Sequence, residues 1–222
     1  MLPRETLATA DVPDGETLTL VSHGRDFIIM LGRDELMGTR MQFSEEQLAV
    51  LTLAELDAPK PRVLIGGYGM GFTLRAALKA LGSDAGVFVA EIVPEIVQWA
   101  LGPMRKVTSG CLDDPRVMLV DDDVAMLIGA AREGYDAILL DVDNGPEGLT
   151  RWENDRLYSR EGLKNAMRAL RPGGILAIWS AWPDPEFTVR LEETGFEVSA
   201  VNVRARPNSK SFRHVIWFAR KP

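Results

Sequence analysis

The sequence predicts an α/β fold: a mostly parallel seven-stranded sheet that closes with a C-terminal antiparallel hairpin, preceded by a small N-terminal β element. Two patterns carry that expectation. Val63-Leu64-Ile65, Val87–Ala90, Val117–Val120, Ala137–Leu140 and Ile175–Trp179 are short, continuously apolar runs separated by helical stretches. Strands without apolar/polar alternation are buried on both faces, as in a parallel sheet covered by helices on either side. Two further strands, near Phe196–Arg206 and His214–Ala219, are joined through Pro207-Asn208-Ser209-Lys210. A parallel crossover needs a dozen or more residues, so this pair must be antiparallel.

Taken in order, Glu16–Val21 alternates apolar and polar residues, His23-Gly24 offers a turn, and Phe27–Leu31 supplies a second strand before Gly32-Arg33-Asp34 turns the chain again. From Ser44 to Leu56 the pattern is helical, with Ser44 as the expected cap and Leu48, Leu51 and Leu56 at helical spacing. Pro59-Lys60-Pro61 marks a junction, so the chain divides into a small region over residues 1–58 and a larger α/β domain over residues 59–222. Further helices are expected at Phe72–Leu81, after Pro94, and at Ser159–Leu170, the last stopping at Arg171-Pro172-Gly173-Gly174. There is no internal repeat.

Composition narrows the class. With 222 residues, 46% of them hydrophobic, the chain can bury a core without disulfides, and Cys111 has no partner for one. No apolar run approaches a membrane span and none reads as a signal peptide, so a cytoplasmic protein is expected. The net charge is −7, although six bases (Arg204, Arg206, Lys210, Arg213, Arg220, Lys221) and no acid follow Val201. An acidic body disfavours nucleic acid, whose binding rests on phosphate neutralisation, and the basic tail reads as a solvated strand face.

The chemistry collects at the strand ends, where open α/β sheets bind ligands. The first apolar strand runs into Gly66-Gly67-Tyr68-Gly69-Met70-Gly71. Neither a dinucleotide G-x-G-x-x-G nor a phosphate-cradling loop fits, whereas G-x-G-x-G across Gly67, Gly69 and Gly71 allows close approach of a ligand to bare backbone. Glu91 ends the second strand, 20 residues after Gly71, where a carboxylate can accept both ribose hydroxyls. Asp123 is placed at the end of the third strand, beside Asp121, Asp122 and Val124, where an acid can accept from an adenine amino group. Glycine loop, ribose acid and adenine acid without phosphate machinery point to S-adenosylmethionine or its decarboxylated form. At the fourth strand end stands Asp141-Val142-Asp143-Asn144. An attacking amine is protonated at neutral pH, so a carboxylate must draw it in and accept its proton; Asp141 is the candidate, with Asp143 second. Trp152, Trp179 and Trp182 are candidates for an apolar acceptor wall or, more ordinarily, core or interface residues. His23 and His214 lack ligand spacing, and no metal is expected.

These residues resemble the spermidine synthase family. The resemblance runs through Val63–Gly67, Thr73-Leu74-Arg75, Asp114-Pro115-Arg116-Val117, Tyr135–Asp141, Leu157-Tyr158-Ser159 and Leu170–Gly174, about residues 60 to 180. It implies a Rossmann-like methyltransferase fold behind a small β-domain, a homodimer, Glu91 on ribose, Asp123 on adenine, and Asp141 activating the amine. The sequence also departs from the family. Gly69-Met70 replaces the loop aspartate that holds the donor's amine, and Ser44-Glu45-Glu46 and Arg206-Pro207-Asn208 stand where the family has polyamine-gripping tyrosines. The leading expectation is therefore methyl transfer from S-adenosylmethionine to a small-molecule acceptor. The alternatives are aminopropyl transfer from the decarboxylated donor to an amine, and a non-enzymatic dimeric nucleoside-binding or scaffold protein.

Overall fold

The computed structural model describes residues 3–12, 17–142, 155–208 and 214–222, together with the backbone but not the side chain of Asp155 in a short helix. Asp143, Asn144, Trp152, Lys210 and Arg213 lie outside them. The larger sheet has the strand order β10-β11-β9-β8-β5-β6-β7. Its parallel part comprises β5 (Arg62–Gly66), β6 (Gly86–Glu91), β7 (Val117–Asp121), β8 (Tyr135–Leu140) and β9 (Leu170–Ser180). The hairpin strands β10 (Glu197–Val203) and β11 (His214–Arg220) pair antiparallel with each other, and β11 pairs antiparallel with β9, as the short connection requires. This is the expected fold. β5 lies between β6 and β8, so the chain leaves it in opposite directions on its two sides, and a crevice opens beyond its carboxyl end.

The described helices are α1 (Phe43–Ala54), α2 (Phe72–Ala80), α3 (Pro94–Leu101), α4 (Arg105–Thr108), α5 (Val124–Ala130), α6 (Asp155–Tyr158), α7 (Arg160–Ala169) and α8 (Pro185–Thr194). Four of them, α1, α2, α3 and α7, fall where the sequence placed them, and the four others were not foreseen. None of the described helices is long and apolar enough to cross a membrane. Strand residues pointing to one face of the sheet (Val63, Ile65, Val87, Val89, Leu139, Ala177) join a core with α1, α2 and α3. Those pointing to the other (Leu64, Ile138, Leu140, Leu176, Ile178) pack with α5, α7 and α8. The runs of β5, β6, β8 and β9 are therefore apolar because both faces are covered, whereas β7, at the edge of the sheet, leaves Met118 and Leu119 exposed.

Several expectations are corrected. The N-terminal β element has four strands rather than two: β1 (Arg4–Asp11), β2 (Thr17–His23), β3 (Asp26–Leu31) and β4 (Asp34–Gly38) form an antiparallel meander. β1 is mostly exposed, so it lacks the apolar alternation that would have announced it. Ser44 does not cap α1. Gln42 holds that position without a side-chain hydrogen bond, while Ser44 is buried and its hydroxyl lies 2.8 Å from His214 Nδ1. Helix α7 begins at its cap Ser159 as foreseen, but it ends at Ala169 and passes directly into β9. The basic tail is only partly solvated, since Arg220 pairs with Glu55 at 3.0 Å and Lys221 with Glu133 at 3.7 Å.

Two of the family-like motifs turn out to be structural. Arg116 donates to both Asp114 oxygens and to the carbonyls of Leu78, Leu81 and Gly82, satisfying the open C-terminal end of α2. Asp136 accepts from the Arg62 N–H at 2.7 Å and from Arg171, tying the starts of β5, β8 and β9 together. A third cation fixes the helix that borders the crevice: Arg75 on α2 donates to Gln42 and Glu46 of α1, each at 2.8 Å, and to the Val107 carbonyl at 2.6 Å. Removing one member of such a half-buried pair leaves its partners unsatisfied. Arg75→Met is expected to lower unfolding free energy by about 2 kcal/mol in urea titrations, far more than an exposed ion pair would contribute.

Candidate functional site

A cavity of about 150 Å³ opens beyond the ends of β5, β6 and β8. Its floor is the sheet edge and its roof is the N-terminal meander, which contributes Leu18, Ile29, Leu31, Leu36 and Met37. Polar groups enter from the strand ends and from α1: Glu91, Asp122, Asp123, Asp141 and Glu45. The cavity thus presents carboxylates against apolar walls.

Glu91, the last residue of β6, is 6% exposed. One carboxylate oxygen accepts from the Tyr68 N–H at 3.0 Å and the Gly69 N–H at 3.5 Å; the other accepts from the Val93 N–H at 2.9 Å. The residue therefore staples the glycine loop to the end of β6, and it lines the cavity. Burial pushes its pKa up, and the backbone donors of Val93, Tyr68 and Gly69 oppose that shift.

The four glycines divide. Gly67 and Gly69 line the cavity, whereas Gly66 and Gly71 are not among its lining residues. A β-carbon on Gly67 would lie 2.5 Å from the Asp141 carbonyl, and φ is +83°, so the residue lets the loop pass the end of β8. At Gly69 the nearest neighbour is the protein's own Met37, whose terminal methyl would be 2.7 Å from a β-carbon. Gly71, also with positive φ, instead packs against Tyr68 and Cys111, and Gly66 packs against Val124 and Leu140.

The acids after β7 need a correction of register. The strand ends at Asp121, and Asp123 is the N-cap of α5, accepting from the Ala125 N–H at 2.8 Å. Asp122 is exposed and accepts from the Asp123 N–H. Both line the cavity, as does Val124; Asp121 does not.

Asp141 follows β8 directly. The Thr73 hydroxyl at the start of α2 donates to its carboxylate at 2.7 Å, and its residual exposure is toward the cavity it lines. Burial pushes its pKa up to about 6, partly offset by the Thr73 hydrogen bond. Asp143, the second candidate, lies outside the described residues. Trp179 lines the cavity and stacks edge-on against His214, whereas Trp182 is 55% exposed. The sequence pointed to Arg33–Glu46 and Asn144–Asp155 as the segments around an acceptor, and Leu36, Met37 and Glu45 of the first do line the cavity, but it did not single out Glu45, Thr73, Val142 or the wall from β2 and β3. Glu45 looked like an ordinary first-turn acid of an amphipathic helix, and only the tertiary fold turns it inward. The described residues contain no cluster of three or more His, Cys, Asp or Glu that could hold a metal.

Residues 41–191 match the model of the spermine/spermidine synthase domain, more than half of the chain. The chain belongs to that family. The polyamine aminopropyltransferase of Mycobacterium tuberculosis is 36% identical over 124 residues, 54% of this chain and 23% of that protein. Polyamine aminopropyltransferase 1 of Streptomyces coelicolor is 34% identical over 130 residues, 58% of this chain and 24% of that protein. The matches thus span less than a quarter of these relatives' length. Among solved structures, spermidine synthase from Thermotoga maritima superposes with a TM-score of 0.77 at 18% identity, covering 98% of this chain and 72% of that one. Spermidine synthase in complex with the transition-state analogue AdoDATO gives 0.74, also at 18%. The family's fold is class I S-adenosylmethionine-dependent-methyltransferase-like, as the observed sheet order is.

The raised pKa of Asp141 fixes the sign of a stability effect. Unfolded, the carboxyl ionises near its ordinary value of 3.8; folded, near 6, so ionisation opposes folding as pH rises through that window. Asp141→Asn should therefore stabilise the protein above pH 6, by on the order of 2 kcal/mol, and by nothing below pH 4. Denaturant titrations at both pH values check this.

Proposed function

We propose that the protein transfers an aminopropyl group from decarboxylated S-adenosylmethionine to an amine. The observation that carries this reading is the half-buried Asp141 carboxylate, set at a strand end in a cavity with apolar walls, in a chain of this family. The family match and the relatives' names support aminopropyl transfer. They give no support to methyl transfer, the sequence's leading expectation.

The residues present fit the donor. Glu91 has free lone pairs for ribose hydroxyls, Asp122 and Asp123 offer acceptors to an adenine amino group, and Val124 packs beside them. Gly67 and Gly69 leave bare backbone where the donor crosses the sheet edge. When bound, the sulfonium supplies an electrophilic carbon and a thioether leaving group that keeps the electron pair of the broken C–S bond. Because that leaving group departs neutral, no general acid is required. Asp141 then has two tasks: its charge attracts the ammonium form of the acceptor, and it takes one proton from that ammonium, freeing the lone pair that forms the N–C bond and leaves the product as a protonated secondary amine. The raised pKa suits this, since a carboxylate near 6 is a better base than an ordinary one and is still mostly ionised at neutral pH. The meander's leucines and Met37 offer a surface to the methylenes of a linear amine in place of aromatic walls.

The test is product analysis. Protein incubated with decarboxylated S-adenosylmethionine and putrescine, a linear diamine, should release methylthioadenosine and the aminopropylated amine, followed by mass spectrometry. Release of S-adenosylhomocysteine from S-adenosylmethionine, with no aminopropyl product, would overturn the reading in favour of methyl transfer. Asp141→Asn should abolish turnover while leaving methylthioadenosine binding intact, and Glu91→Gln should weaken that binding by about tenfold or more, read by calorimetry. The acid limb of the rate profile should fall as pH drops through about 6, the value at which Asp141 takes up its proton. Thr73→Val removes the hydrogen bond that favours the ionised form, so it should move that limb to higher pH.

A further inference from the structure

The seven-stranded sheet ends on one side in β7, which pairs only with β6 among the described strands. The unpaired N–H and C=O groups of a free edge invite another strand, so such edges are ordinarily guarded by lysine, proline, a bulge or a covering helix. β1, at the rim of the meander, has its bulge at Leu7. β7 has no such guard. Its register with β6 runs unbroken, and Val117-Met118-Leu119-Val120 contains neither a charge nor a proline. Both faces are open as well: Met118 is 57% exposed and Leu119 39%. Met118 lies beside Phe88, on the face that α5 packs against, and Met126 of α5 is 63% exposed.

We propose that β7 is an interface between two copies of this chain, which add edge to edge, antiparallel, across a two-fold axis at Leu119. The backbone sets the register. The Arg116 carbonyl accepts from the Val87 N–H of β6, and backbone groups alternate sides along a strand, so Val117, Leu119 and Asp121 turn theirs away from the sheet. The Val117 N–H is taken by the Asp114 carbonyl. With the axis at Leu119, each Leu119 N–H donates to the other copy's Leu119 carbonyl, and each Asp121 N–H to the other copy's Val117 carbonyl. Shifting one way sets Asp121 against Pro115, which has no N–H; shifting the other sets Val117 against Asp123, the cap of α5. In the favoured register Leu119 meets its own copy and Met118 meets Val120, apolar against apolar on both faces. Arg116 then stands opposite Asp122 of the other copy, so opposite charges flank the row at each end. A parallel pairing would instead lay Asp121-Asp122-Asp123 against itself, like charge on like. Pairing with β10, the other edge of the sheet, does not close and would build an open chain of copies. One short strand buries little area, so this dimer forms and separates with concentration. It stands whether or not the chain transfers an aminopropyl group.

Sedimentation velocity on the full chain, from about 2 to about 200 μM, should show monomer passing into dimer. Leu119→Lys sets two like charges together on the axis and should raise the dissociation constant about tenfold or more. Should that variant fold poorly, Leu119→Cys decides instead. Directly opposed, hydrogen-bonded residues of an antiparallel pair have Cα atoms about 5.5 Å apart, within disulfide reach, so mild oxidation should give a covalent dimer. Val189→Cys, exposed on α8 beside β10 at the other edge, should not cross-link, and neither should the wild type, whose Cys111 is buried. A wild type that stays monomeric throughout, assemblies larger than a dimer, or a dimer that a folded Leu119→Lys leaves within about twofold overturns the proposal. So does a Leu119→Cys that cross-links no faster than Val189→Cys.

Discussion

The site is organised around carboxyl groups that the fold desolvates without pairing them to a cation among the described residues. Most carboxylates in a folded chain are solvated or paired, because a desolvated charge without a partner is expensive. Asp114 and Asp136 follow that rule through Arg116 and Arg171. Glu91, Asp141 and Glu45 do not: they receive backbone N–H groups, one hydroxyl and, at one oxygen, nothing. Such an arrangement persists only because the surrounding core is large enough to absorb its cost.

What keeps water from relieving that cost is the N-terminal meander. The crevice beyond a parallel sheet is ordinarily open, and an Asp at its edge titrates like any surface acid. Here Leu18, Ile29 and Leu31 belong to the same apolar cluster as Val63, Ile65 and α1, so the roof is continuous with the core. Desolvation in the cavity that this roof helps to wall raises the pKa of both Asp141 and Glu45. The small sheet therefore acts on the chemistry through the dielectric as much as through contact.

Legibility in the sequence followed the same division. Strands buried on both faces were plain because nothing but apolar residues fits there, and Glu91 and Asp141 were plain because each stands at the first polar position after such a run. The exposed strand β1 carries little pattern, so it was missed. The third strand was expected to end in Asp121-Asp122-Asp123 and stops at Asp121, because three consecutive aspartates give no internal signal of where a strand stops and a helix cap begins. The glycine loop was read as an opening for a ligand, yet Gly69 also makes room for Met37 and Gly67 for the backbone of Asp141. A glycine records that something comes close, not what. Glu45 could not have been found from periodicity, since helix first turns favour acids at their exposed N-terminal ends.

The motif residues show why family resemblance and site chemistry have to be argued separately. Asp114-Pro115-Arg116 and the Asp136–Arg171 pair carry much of the sequence likeness, and both are explained by helix capping and strand anchoring without reference to any reactant. A scaffold that had lost its activity would keep them. Asp114 and Asp136 are paired with arginines outside the cavity, whereas inside it the carboxyl groups of Glu91, Asp141 and Glu45 are desolvated without a cationic partner among the described residues.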